Sequence, residues 1–389
     1  MLHLILSASL CLAAPDPDAA RLGIESQLRV MEQAMVKADA PGYLAAVSGA
    51  DSEFLHEQRY FANDFAKKPP AEVTISLGEL KETDGAATAK VTWAWTMPGA
   101  KAREVAFDAR FIEVDGKWLY AGEVWERHDA PGVMVLFDPG LEEVATNTVE
   151  AFTAVRAKVE ESFGLGKSAL PARTQKIKLY GSMKHLQHSI CLSYTDGLGG
   201  WNEPKESVKI LAGRSSRVNQ LKGLLSHEYG HVATFELGPK SNVMPWWVLE
   251  GVAELSSEVV VHGRRPRATV ERWARAGRIA PWDSLADFEN CEDKWKGHVY
   301  TQGHHMIGYI SDTFGREKLN AWMTEMSRGA TIDGASVTAL GRPFAQLAAE
   351  WRAALPEEGA EEPAPAEEPK KEEPKKEPAA KEEPAGAPK

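Results

Sequence analysis

The chain has 389 residues, 43% hydrophobic and 26% charged, enough to bury a large core and, at ordinary domain sizes, to make two domains with extensions. Its formal net charge is -11 and no clustered basic face appears, which excludes a nucleic-acid partner. No run of about eighteen apolar residues follows the N-terminus, so no spanning helix is expected in the mature chain.

The chain begins MLHLILSASLCLAAPDPD, a short apolar run ending in small residues before a Pro/Asp stretch. Residues 1–14 therefore read as a secretory signal peptide cut near Ala14, and an exported protein, periplasmic or secreted, is expected. The run lacks Lys or Arg at its start, and the competing reading is an ordinary buried N-terminal segment. Leu10 before Cys11 suits lipid attachment poorly. Cleavage would leave Cys191 and Cys291, as one disulfide or as two buried free thiols.

Residues 19–128 pass from helix to sheet, an α+β plan. SQLRVMEQAMVKAD carries Leu28, Met31, Met35 and Val36 near helical spacing, and PGYLAAVS begins a second helix. Beyond Pro69-Pro70, AEVTISLGEL, ATAKVTWAWTM, REVAFDARFIEV and KWLYAGEVWE have strand character, some of them separated by the turn-rich TDG and VDGK. This pattern, with endings such as DGKWLYAGE, resembles the cone-shaped nuclear-transport-factor-like (SnoaL-like) domains, in which a curved sheet wraps helices. The resemblance implies a ligand-binding, dimerising or scaffolding unit, and with no catalytic set legible here, scaffold is the expectation.

Ala130-Pro131-Gly132 reads as a linker to a second unit over residues 133–355. LEEVATNTVEAFTAVRAKVEESFG has apolar residues three and four apart and ends at Gly164, so it predicts a helix. TQKIKLYGS and SVKILAG read as strands. The helix that follows is stopped by Gly238-Pro239, and Pro245 starts the next.

The chemistry is concentrated between Gly223 and Glu254. His227-Glu228-Tyr229-Gly230-His231 is followed, after eighteen residues, by Glu250. Helix positions four apart differ by about 40° in azimuth and about 6 Å along the axis, so His227 and His231 present two imidazoles on one face. Two imidazoles and a carboxylate leave one position of a zinc ion open for water, and Glu228, about 100° round the helix, is the carboxylate to take that water's proton. The helix is apolar, with Leu221, Leu224, Leu225, Val232 and Phe235 at core spacing, so both histidines face inward. Against this stands the reading of Glu250, Glu254 and Glu258, four apart, as a solvated helix face.

His-Glu-x-x-His, eighteen residues and Glu within Trp-x-x-Glu-Gly-x-Ala together resemble the gluzincin zinc metallopeptidases of clan MA, in the aminopeptidase N-like spacing. Tyr300-Thr301-Gln302-Gly303 is similar to that family's Tyr-x-x-Gly segment. The resemblance implies a thermolysin-like zincin domain with a helical C-terminal lobe, which GYISDTFGREKLNAWMTEMS suits as helix, Gly turn and helix. It implies one catalytic zinc ion on His227, His231 and Glu250, Glu228 as general base, Tyr300 as oxyanion donor, and Glu254 orienting a ligand imidazole from behind. It also implies a peptide or protein substrate.

One departure qualifies the likeness, and the metzincin alternative fails. No Gly-x-Met-Glu-Asn segment of the kind that holds a free amine is present, which puts exopeptidase action in doubt. Thr234 and Leu237 stand where a metzincin would have its Gly and third His. His298, His304 and His305 read as surface or packing residues, Tyr309 as a competitor of Tyr300, and His185 and His188 as loop residues near the cleft without a role. Residues 356–389, rich in Pro, Glu and Lys, predict a disordered tail, either an envelope tether or an unattached solubilising extension. The alternative for the whole chain is a catalytically silent zinc-binding scaffold of the exported compartment.

Overall fold

The computed structural model describes residues 17–83, 85–165, 173–262 and 265–361. The expected leader over residues 1–14 lies outside these residues, as does the expected tail beyond residue 361. The fold is α+β: an N-terminal β-sheet unit, then a mixed sheet and a largely helical region.

The first unit packs α1 (Pro17–Val36), α2 (Ala40–Leu44) and α3 (Ser52–Lys67) on a four-stranded antiparallel sheet. Its strands are β1 (Glu72–Thr83), β2 (Ala86–Thr96), β3 (Arg103–Val114) and β4 (Lys117–Glu123), in spatial order 1-2-3-4. All four expected strands form. β2 and β3 alternate, sending Val91, Trp93, Trp95, Phe107 and Phe111 inward, and α1, lying against β1 and β4, adds Ile24, Leu28, Met31 and Met35 to the same core. The third helix escaped the sequence reading, although its start is well marked. The Asp51 carboxylate accepts the N–H groups of Glu53 and Phe54 at 2.9 and 3.1 Å, relieving two donors that a helix start leaves unpaired.

The second sheet runs β5 (Glu126–Ala130), β6 (Val133–Phe137), β7 (Gln175–Tyr180), β9 (Val208–Leu211) and β8 (Gly200–Trp201) in space. β6, β7 and β9 are parallel, and β5 and β8 are antiparallel edges. Ala130-Pro131-Gly132 is a correction to the expected linker. Ala130 pairs with Val133, so the segment is the turn of a hairpin inside this sheet. The crossover helix α4 (Glu142–Ser162) ends just before Gly164, as its pattern predicts. The two units share structure as well as chain. α5 (Met183–Ile190) packs against β3, and the following Leu192 enters the N-terminal core, where its carbonyl accepts the Trp95 indole N–H at 3.0 Å.

Three helices then carry the centre of the second unit: α6 (Val218–Phe235), α7 (Trp246–Val261) and α9 (Asp293–Phe314), with α8 (Arg267–Arg275) between the last two. α7 packs on both of its partners. A Cβ on Gly251 would lie 2.6 Å from the Gly303 carbonyl carbon, and one on Gly303 would lie 2.6 Å from the Trp247 carbonyl oxygen. Only glycine lets these two helix backbones touch. α10 (Arg316–Ser327), α11 (Ile332–Leu340) and α12 (Phe344–Ala353) complete the helical lobe. The start of the predicted tail is anchored, since the Gly359 N–H donates to the Arg275 carbonyl at 2.9 Å. Cys191 and Cys291 are free thiols.

Candidate metal centre

α6 buries Leu221, Leu225, Tyr229, Val232 and Ala233, and this apolar face fixes its rotation. Tyr229 pins it to α4 through an edge-on ring contact with Phe152 at 5.0 Å and a 2.6 Å bond from its hydroxyl to Glu160. His227 and His231 are thereby turned toward α7, where Glu250 stands one turn in from the helix start.

The Nε2 atoms of His227 and His231 lie 3.2 and 3.5 Å from one oxygen of Glu250, and the three side chains are 16%, 11% and 12% exposed. Ligand atoms of all three fall within 4.8 Å of one another, a set that can hold one metal ion. Donors each about 2.0–2.1 Å from a tetrahedral ion stand about 3.3 Å apart, so the spacing fits. Behind the pair, the Nδ1 of His227 faces Glu254 at 3.3 Å, which fixes the ring and leaves Nε2 free for a cation. The other Glu250 oxygen accepts the Trp246 indole N–H at 2.9 Å.

Protonation follows from these contacts. Burial alone would lower the His227 imidazole, but its bonds with Glu250 and Glu254 hold it well above the usual value. Burial would raise Glu250, yet the charge of His231 and bonds from both imidazoles hold it far below the carboxylate range. Glu254 is lowered as well, burial being outweighed by its bond to His227. Glu228 moves the other way: burial raises it, only partly opposed by the two imidazoles. It is 4% exposed and has no hydrogen bond or ion pair among the described residues, so its carboxylate is uncommitted.

These groups line a cleft of about 1130 Å³. β8 forms part of its wall beside Glu228, so close that a Cβ on Gly200 would lie 2.5 Å from a Glu228 oxygen. Tyr300, on α9, stacks near His227 with ring centroids 6.4 Å apart and meets Trp246 edge-on at 6.0 Å. Its hydroxyl is unbonded among the described residues, and burial pushes its pKa far above the usual phenol.

Comparison with known proteins agrees with this geometry. Residues 165–357 match the model of the family described as Peptidase MA superfamily. This part of the chain is a Peptidase MA domain. No curated protein matches the chain. Among solved structures, that of Rv3472, a function unknown protein from Mycobacterium tuberculosis, is similar at 19% identity over 28% of this chain and 74% of that one. Its TM-score is 0.23, too slight a likeness to carry a conclusion.

The Peptidase MA domain brings together His227, His231, Glu250, Glu254, Glu228 and Tyr300. Tyr309 is not among the residues lining the cleft and packs against the core instead. Glu258 is not a solvated residue, since His304 and Arg265 meet its carboxylate at 2.6 and 3.1 Å. His298 is a packing residue, stacked 3.8 Å from Trp273. His185 and His188 do not lie in a loop by the cleft. Both are buried on α5 at the junction of the two units, His185 2.8 Å from Glu123. The tryptophan of the motif, Trp247, is core, stacked on Phe344 at 5.5 Å, whereas its neighbour Trp246 holds the metal-facing carboxylate. Sequence reasoning also missed Tyr60, Asn202 and Glu203 in the cleft wall.

Proposed function

We propose that the chain is a zinc-dependent metallopeptidase of the gluzincin type. The observation that carries the reading is the convergence of His227 Nε2, His231 Nε2 and one Glu250 oxygen beside an uncommitted Glu228 in an open cleft. His227, His231 and Glu250 would hold the zinc ion, which would supply a Lewis acid for the scissile carbonyl and the attacking water. Glu228, whose carboxylate has no other partner among the described residues, would take the proton from that water and pass it to the leaving amine. The Tyr300 hydroxyl donates to the oxyanion that develops on the carbonyl. Glu254 and Trp246 hold His227 and Glu250 in position. β8 is a sheet edge lining the cleft, which favours an extended peptide lying alongside it as substrate. The proposal includes export, on the strength of the leader-like N-terminus.

Metal analysis and digestion of a peptide library test it. Glu228→Gln keeps one metal per chain while cleavage falls by about 10²–10⁴-fold. Glu250→Gln loses most of its metal. Equal cleavage by wild type and Glu228→Gln overturns the reading and leaves the silent scaffold.

A further inference from the structure

Part of the cleft wall comes from the other unit of the chain. Tyr60 and Lys67, two turns apart on α3, line it together with Asn202 and Glu203, the residues that follow β8. α3 is firmly held there. Glu57, one turn before Tyr60, meets the Lys178 ammonium and the Ser207 hydroxyl, each at 2.5 Å, and Asp64 accepts the Ser193 hydroxyl at 2.8 Å.

Two polar groups at this place lack partners. Asn202 is 8% exposed, and neither its amide nitrogen nor its amide oxygen is hydrogen-bonded among the described residues. Buried amides are nearly always satisfied, so an unsatisfied one beside a cleft points to a ligand. The Glu203 carboxylate has no hydrogen bond or ion pair among the described residues either, although its backbone carbonyl accepts the Glu206 N–H at 3.0 Å. Burial and the charge of Glu206 push its carboxyl up to about 7, although Lys209 opposes them. That lysine is already engaged by Glu206 at 3.5 Å and by the Ser189 carbonyl at 2.9 Å. Tyr60 lines the same cleft as Asn202 and Glu203, and the charges of Glu203 and Glu206 join burial in raising its hydroxyl.

The charge balance says what would bind. Beyond Glu228, Glu250 and Glu254, which the candidate metal centre uses, three carboxylates line the cleft: Glu203, Asp287 and Glu289. Its sole lysine or arginine among the described residues is Lys67, which lies 3.5 Å from Glu289. We propose that Tyr60, Asn202 and Glu203 form a specificity subsite for a basic side chain of the peptide substrate, so that the N-terminal unit helps to choose what is cut. A carboxylate supplies the charge, the Asn202 oxygen accepts an N–H, and the Tyr60 ring offers its face to a cation. This inference rests on the metallopeptidase reading.

The test uses the full chain loaded with zinc and peptides blocked at both ends, so that no terminal amine competes. One position carries Lys, Arg or norleucine, and kcat/KM is measured for wild type, Glu203→Gln, Tyr60→Leu and Tyr60→Phe. Wild type is expected to favour Lys and Arg over norleucine by about tenfold or more, increasingly as Glu203 ionises between about pH 6 and about pH 8. In Glu203→Gln that ratio collapses toward one, and its pH dependence weakens without vanishing, because Glu206 is also pushed up to about 7. Tyr60→Leu lowers the ratio, and Tyr60→Phe, which keeps the ring, restores most of it. If Glu203→Gln does not fold, the Tyr60 pair decides. Cleavage by wild type without preference for Lys or Arg, or an unchanged ratio in the variants, overturns the subsite and leaves the peptidase reading standing. No cleavage of any peptide by wild type overturns both.

Discussion

Two buried clusters of ionisable side chains are built here on opposite plans. Where the N-terminal unit meets the second sheet, Glu57 and Glu206 face Lys178 and Lys209, and each carboxylate has an ammonium within 3.5 Å. At the metal centre, Glu228, Glu250 and Glu254 face two imidazoles, and no lysine or arginine forms an ion pair with any of the three among the described residues. The first cluster cancels its own charge and serves as a joint. The second sets three carboxylates against two imidazoles with no lysine or arginine paired to them, an arrangement that suits a cation from outside.

Removing one partner from the self-neutralised cluster should cost most. Glu57→Ala strands the fully buried Lys178 ammonium, and chemical denaturation should show a loss of about 3–5 kcal/mol. Replacing Glu57 and Lys178 together by methionine should recover most of that loss, because two apolar side chains need no compensation. If the double variant is as unstable as the single one, the joint depends on shape rather than on charge.

Acid probes the same joint. Lys178 and Lys209, with the hydrogen bonds from Lys178 and Ser207, outweigh burial and lower the Glu57 carboxyl to about 2. A carboxyl whose folded value is depressed contributes stability that is complete above its unfolded value of about 4.3 and disappears as pH falls through the folded one. Thermal unfolding of the metal-free chain should therefore drop between about pH 4.3 and about pH 2, and the methionine pair should flatten this part of the curve. An equally steep drop in the methionine pair would assign acid sensitivity elsewhere.

The smallest effect belongs to the open cluster. Glu254→Gln keeps a hydrogen-bond acceptor behind His227 but removes the charge, and zinc affinity should fall by about 10–100-fold in a competition titration. Metal-free stability should fall by less than in Glu57→Ala, because Glu254 is partly exposed and keeps its hydrogen bond to His227. A large loss of stability without zinc would mean that this cluster, too, is structural.

The two clusters also differ in how far the sequence reveals them. The candidate metal site was legible because its parts are local. His227 and His231 are one helical turn apart, and Glu250 is placed by the next helix, so spacing alone nearly determines the geometry. The joint was not legible, because Glu57 meets Lys178 and Ser207 only after two sheets have formed and docked. The same limit hid Tyr60 from Glu203. At finer grain, Trp246 and Trp247 differ by about 100° around one helix, and nothing in the dipeptide says which one faces the carboxylate. Pro131-Gly132 announces a turn whichever way the chain continues, and only the pairing of β5 with β6 makes it a hairpin.

That hairpin, with Leu192 lodged under Trp95, bears on how the molecule could be divided. A cut at the Pro-Gly turn would separate β5 from β6, bare a sheet edge on the downstream piece, and leave a gap among the tryptophans of the upstream one. The N-terminal unit and the Peptidase MA half thus share a sheet and a core, and a lesion in either is expected to be felt in the other.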